Sequence, residues 1–249
     1  MEWDEWMMID ALVKPDDVVI EYGARFGTTS CRLALATKNS GRVASIDPDK
    51  NVLKYLLANR ASHNCRFYVV AGTVSDVSLA MPRITHYGTA SHVARANESN
   101  TAGNLALAEV ERRMSAKLTV ALIDCEGCMA HAVNAPGDLL GRVSTVLIEE
   151  DHAASSPTGS GPYGKQGQRD AEVDYRYWHR ILRERGFENV WHAQDTFDPN
   201  ATWSRTMRHS AWRRRVPGEA PLVDECGPHK ARTGLKRTEL ECLPLLRTD

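Results

Sequence analysis

Apolar and polar positions alternate between two rhythms along this chain, and their order defines the layout. Short apolar runs bounded by turn residues occur at "DVVIEYG" (17–23), "GRVASID" (41–47), "CRFYVVAG" (65–72), "LTVALIDCEG" (118–127) and "VSTVLIEED" (143–151). Runs of that length and composition predict strands, and the last two are apolar on both faces, as central parallel strands are. Between them the period lengthens to that of a helix at 28–38, at 50–62 (Val52, Leu53, Leu56, Leu57) and at 104–116 (Leu105, Leu107, Val110, Met114). Another helix is predicted over 2–13, ended by Lys14-Pro15-Asp16-Asp17, and one over 171–187, closed by Gly186. Two further strands, 188–195 and 202–210, flank a turn at Asp198-Pro199-Asn200. Alternation of strand and helix with short connections predicts an α/β fold whose parallel strands are joined by right-handed crossovers.

Three stretches lack periodicity. Residues 73–103 carry loop signals, 153–169 are rich in Gly, Ser and Pro and form a candidate lid, and 216–249 read as a wrapping or disordered tail. The expected organisation is one domain over 1–215 followed by that tail.

Composition narrows the classes. With 42% hydrophobic residues in 249, the chain can bury a sizeable core. Its net charge is −1, from 31 basic and 32 acidic residues, so no nucleic-acid partner is expected; the local cluster "RTMRHSAWRRR" (205–215) reads as a solvated surface. No apolar run reaches the length of a membrane span, and the N-terminus lacks the features of a signal peptide. The six cysteines (31, 65, 125, 128, 226, 242) are scattered, which reads as reduced thiols in a cytoplasmic protein. Cys125 and Cys128 have CxxC spacing, but no second pair completes a zinc site.

The chemistry-bearing feature is the turn Glu21-Tyr22-Gly23-Ala24-Arg25-Phe26-Gly27 after the first strand. Glycines there allow close backbone approach, and Asp47, twenty positions after Gly27, can accept hydrogen bonds from both hydroxyls of a ribose. This pair suits NAD and S-adenosylmethionine (SAM) alike. Glu21, two positions before the first glycine, is poorly placed for a pyrophosphate and well placed for a cationic amino acid, which favours SAM.

"VVIEYGARFGTTSCRLA", "RVASIDPDKNVLKYLLANRASHN", "VVAGTVSD", "ALIDCEGCM" and "VLIEEDH" resemble, in order, the motifs of class I SAM-dependent methyltransferases, and among them the FkbM-like family. The resemblance covers about residues 14–152; Arg25, Asp47, Leu122 and Met129 depart from the family's usual residues. It implies a Rossmann-like sheet of seven mostly parallel strands, order 3-2-1-4-5-7-6 with only the seventh antiparallel, and helices on both faces. It further implies that Glu21, Gly23, Ala24 and Gly27 face the methionine part of SAM, that Asp47 holds the ribose, and that Gly72 and Thr73 lie near the adenine. Asp124 takes the position that orients the cofactor amine, the acceptor or, in some members, a metal.

The expected function is methyl transfer to an oxygen of a small-molecule or sugar acceptor. NAD-dependent oxidoreduction and a non-catalytic SAM-binding or scaffold role are the alternatives. For proton removal, His152 is the candidate base, with Asp124 and Glu150 orienting it or the substrate. No metal is assigned in this reading; Mg²⁺ on Asp124 with Glu150 or Asp151 is the less favoured version.

Overall fold

The computed structural model describes residues 3–75, 77–80, 92–93, 102–125, 128–133, 137–150, 173–194 and 208–215. The elements in chain order are α1 (Trp3–Leu12), β1 (Val19–Tyr22), α2 (Thr28–Ala36), β2 (Val43–Asp47), α3 (Leu53–Ser62), β3 (Tyr68–Ala71), β4 (Leu79–Ala80), β5 (His92–Val93) and α4 (Leu107–Met114). They continue with β6 (Val120–Ile123), α5 (Met129–Val133), α6 (Leu139–Arg142), β7 (Thr145–Glu149), α7 (Tyr175–Glu184), β8 (Phe187–Gln194) and β9 (Arg208–Arg214).

Seven of the strands form one sheet, in the order β3-β2-β1-β6-β7-β9-β8. The short antiparallel pair β4–β5 lies outside it, in the stretch expected to be irregular. Counted without that pair, the order is 3-2-1-4-5-7-6, as expected. β1, β2, β3, β6 and β7 pair in parallel, while β9 runs antiparallel to both β7 and β8.

Every residue of β1, β2 and β6 is buried, because helices cover both faces. Alternate residues feed two cores. Ile20, Tyr22, Ile46, Ile123 and Ile148 pack with Leu107 and Val110 of α4 and with Trp178 and Leu182 of α7. Val19, Val43, Leu122 and Leu147 pack with Met8 and Ile9 of α1, Leu33 of α2 and Leu56 of α3.

Element bounds differ from the sequence expectation where local hydrogen bonds intervene. α3 starts at Leu53 because the Asp49 carboxylate accepts the Asn51 N–H at 2.8 Å, forming an Asx turn that delays the helix. α7 starts after Asp174, whose side chain accepts from the Arg176 and Tyr177 N–H groups. The last strand extends to Arg214, carrying Ser210 and Trp212 into the core, whereas 202–207 lie outside the described residues. The 153–169 loop, the 198–200 turn and the 216–249 tail also lie outside them.

The reading of reduced cysteines is corrected at four of the six positions; Cys226 and Cys242 lie outside the described residues. Cys31 of α2 is bonded to Cys65, just before β3, and Cys125 to Cys128. Helical and loop positions distant in sequence converge once α2 and α3 pack on one face, which spacing alone does not reveal. The cytoplasmic assignment loses the reduced-thiol ground on which it rested. Among the described residues, no helix is long and apolar enough to cross a membrane.

Candidate active site

The turn after β1 is built by hydrogen bonds to its neighbours. The Gly23 and Ala24 N–H groups both donate to the Ile46 carbonyl at 3.0 Å, Arg25 N–H donates to Asp47 Oδ2 at 2.7 Å, and Gly27 N–H donates to the Ala24 carbonyl at 2.7 Å. Gly23 (φ +93°) and Gly27 (φ +81°) occupy the left-handed region. A Cβ on Gly23 would lie 1.5 Å from the Asp124 carbonyl oxygen, and one on Gly27 would lie 2.6 Å from Leu56 Cδ1. The close approach that these glycines permit is therefore made by the chain's own β6 end and α3. Arg25 also has positive φ, at 41°, where a branched or bulky side chain is disfavoured.

Asp47 closes β2 and is 6% exposed. Besides Arg25 N–H, its carboxylate accepts the Asp49 N–H at 2.8 Å. Burial pushes its pKa up, partly offset by those two N–H groups. A carboxylate offers about four acceptor positions, so two remain for a ligand's hydroxyls. Gly72 lies beside it, donating its N–H to the Asp47 carbonyl at 3.0 Å. A Cβ there would sit 2.2 Å from the Gly103 carbonyl, and Thr73 N–H donates to that same carbonyl at 2.7 Å. This turn is thus lined by the segment leading to α4.

Glu21 is fully buried, and Ser30 Oγ of α2 donates to its Oε2 at 2.5 Å. Its parity along β1 places it on the α1/α2 face, the face of Val19. Asp47, Asp124 and Glu149 share that parity: each follows an Ile of the other core (Ile46, Ile123, Ile148). Four acids on adjacent strand ends therefore face one side. α1 adds a fifth, Glu5, 1% exposed and accepting from Thr29 Oγ1 at 3.0 Å. Oxygens of Glu5, Asp124 and Glu149 lie within 4.8 Å of one another, a group that could hold a cation. Sequence reasoning missed Glu5, although it recurs with Met8, Ile9 and Leu12 on the buried stripe of α1.

Glu149, rather than Glu150, stands beside Asp124. Facing Glu149 across the ladder is His209, 4% exposed, with Nε2 3.6 Å from Glu149 Oε1 and Nδ1 3.8 Å from Asp4 Oδ2. No role was assigned to His209 from sequence; only the antiparallel register of β9 brings it here. Glu150 points to the opposite face. Its Oε1 lies 2.7 Å from His179 Nε2 and accepts from Ser210 Oγ at 2.6 Å; Ser210 in turn accepts from Trp212 Nε1 at 3.1 Å. Burial raises the Glu150 pKa, but His179, Ser210 and His192 bring it below the usual carboxylate value. His152 and Asp151 lie outside the described residues. Trp178 is a core residue, 2% exposed.

No protein-family model matches the chain, and no curated protein matches it. Solved structures do. An rRNA methylase from Streptococcus thermophilus superposes with a TM-score of 0.50 at 10% identity, over 85% of this chain and 94% of that one. A structure described as a putative rRNA-methylase from Clostridium thermocellum gives 0.50 at 8% identity, over 87% of this chain and 96% of that one. The fold is that of the class I methyltransferases. A more distant structure, a putative tRNA (m1A22) methyltransferase from Streptococcus pneumoniae in complex with S-adenosyl-L-methionine, gives 0.46 at 11% identity over 98% and 79%. Nothing in these likenesses singles out the FkbM-like family, which stays a resemblance of motifs. The expectation that nucleic acid is no partner is corrected, because a solved rRNA methylase and a putative rRNA-methylase share this fold. Net charge averaged over a whole chain was the wrong measure, since acceptor docking depends on local charge and shape.

Proposed function

We propose that the chain is a SAM-dependent methyltransferase acting on a hydroxyl oxygen, with a sugar hydroxyl as the acceptor, including the ribose of RNA. The observation that carries the choice of cofactor is the hydrogen-bond accounting of the turn. The N–H groups of Gly23, Ala24, Arg25 and Gly27 are all given to carbonyls or carboxylates of the chain itself. A dinucleotide needs such groups for its pyrophosphate. What the strand ends offer instead is carboxylate, which suits the ammonium and sulfonium of SAM.

In this reading Asp47 accepts the ribose hydroxyls, and the acids at the ends of β1 and β6, Glu21 and Asp124, face the cationic methionine part. Bound SAM supplies an electrophilic methyl group for in-line displacement. The protein's part is to hold the acceptor oxygen in line, a positioning effect worth up to roughly 7–11 kcal/mol. It must also take the acceptor's proton. His152, three positions after β7 in the sequence, is the proposed base, with Asp124 beside the acceptor. Glu150 acts at one remove, fixing α7 to β9 through His179 and Ser210.

Calorimetry with SAM and with NAD tests the cofactor; binding of NAD alone would overturn the proposal. Transfer of labelled methyl from SAM to RNA and to free sugars, scored separately, then identifies the acceptor. Binding without transfer to any hydroxyl would favour a non-catalytic role.

A further inference from the structure

The CxxC pair is the one motif that the methyl-transfer reading leaves unused. Cys125 follows Asp124 at the carboxyl end of β6, and Cys128 precedes α5; the two are joined as a disulfide with Cα atoms 5.4 Å apart. Both are half-buried against the core of the α4/α7 face. Cys128 N–H donates to the Cys125 carbonyl at 3.3 Å, and the His131 and Ala132 N–H groups donate to the Cys128 carbonyl.

The two disulfides among the described residues differ in what they can do for the fold. Cys31–Cys65 closes a separation of 34 residues and joins two packed segments. Cys125–Cys128 closes a separation of three, so it removes little entropy from the unfolded chain. Two cysteines at this spacing form a pair suited to thiol–disulfide exchange.

The pair is also mechanically joined to the candidate cofactor turn. Asp124 N–H donates to the Tyr22 carbonyl at 3.0 Å, and the position of a Cβ on Gly23 would fall 1.5 Å from the Asp124 carbonyl oxygen and 3.2 Å from Cys125 Cα. A shift of Cys125 therefore meets Gly23 directly, with no intervening side chain to absorb it.

We propose that Cys125 and Cys128 form a redox-active dithiol–disulfide site, reduced by a dithiol donor, and that its state sets the affinity of the adjacent turn for SAM. In the exchange, a donor thiolate attacks one of the two sulfurs and breaks the Cys125–Cys128 bond, giving a mixed disulfide. The donor's second thiol then displaces the protein sulfur. The donor leaves as its disulfide, and two electrons and two protons reside on Cys125 and Cys128. The coupling half of this proposal rests on the SAM reading, whereas the exchange half does not.

The full-length chain is equilibrated in glutathione buffers graded from oxidising to reducing, alkylated, and scored by mass spectrometry. The Cys125–Cys128 pair should convert in a two-electron step at a less reducing poise than Cys31–Cys65. A pair that stays oxidised wherever Cys31–Cys65 does, or is dithiol throughout, overturns the exchange site. SAM affinity is then measured in the two buffers that bracket the step. It should change severalfold in the wild type and not in the Cys125→Ser/Cys128→Ser double variant. The double variant Cys125→Ala/Cys128→Ala checks the result if the serine pair misfolds, since it too should lose the redox dependence. Equal affinity of both wild-type forms overturns the coupling. No SAM binding in either form overturns the methyltransferase reading and the coupling together, leaving the exchange site to the alkylation result.

Discussion

Asp47 does two jobs at once, holding the Arg25 and Asp49 N–H groups while presenting its remaining acceptor positions at the strand end. Asp47→Ala is expected to weaken SAM binding by roughly 1.5–3 kcal/mol, the worth of hydrogen bonds to a charged group. Calorimetry on a variant shown by circular dichroism to be folded checks this; unchanged affinity would remove Asp47 from the site. Arg25 is a different case. Its left-handed φ of 41° is one that Asn tolerates and Arg does not favour. Arg25→Asn should raise unfolding free energy by up to about 1 kcal/mol in urea titration, unless the Arg side chain contributes to the site. The strand-end positions of Asp47 and Glu21 were legible in the sequence because each is one acid closing an apolar run. Glu5 and His209 were not, because each reaches the site by tertiary packing: one from a helix across the face, the other through an antiparallel register that spacing does not fix.

At the level of elements, the β1 turn and the end of β6 meet backbone to backbone at Gly23 and Asp124. Gly23→Ala would drive a methyl group into the Asp124 carbonyl, backbone against backbone, where neither side can rotate away. Loss of about 3 kcal/mol or more is expected, read as a lowered urea midpoint. α7 depends on its cap: Asp174→Ala should cost about 0.5–2 kcal/mol, with the loss visible as earlier hydrogen exchange of Arg176 and Tyr177. Strand and helix positions followed from periodicity, since a doubly covered parallel sheet writes itself as apolar runs between helical stretches; the strand order followed from the resemblance to class I methyltransferases. The bounds of α3 and β9 did not follow. The first is moved by a side-chain hydrogen bond, and the second runs into the basic residues Arg213 and Arg214, which looked like surface yet pair with β7 and β8.

For the molecule as a whole, two devices lock the layers together. Cys31–Cys65 spans a 34-residue separation, a closure worth about 4 kcal/mol on the entropic model, and its removal by Cys31→Ser should lower stability by an amount of that order. The Glu150–His179–Ser210 cluster ties α7, β7 and β9. Because the folded state holds Glu150 below its ordinary pKa, it contributes stability above the unfolded value near 4.5 and loses it as pH falls through the folded value. Glu150→Gln should flatten that acid limb of the stability–pH curve, measured by thermal melts from neutral pH downward; an unchanged slope would assign the limb to other acids. One further consequence lies in the order of assembly. β1 meets β2 through neighbours in the chain, but it meets β6 only across a separation of 101 residues, as the Val18–Thr119 hydrogen bond shows. Bringing ends that far apart together costs more chain entropy than the local pairing, and contacts of high sequence separation slow folding. The seam between Gly23 and Asp124, and with it the candidate site, is therefore expected to close late: nascent chains would carry the β1–β3 half well before they could hold a ligand.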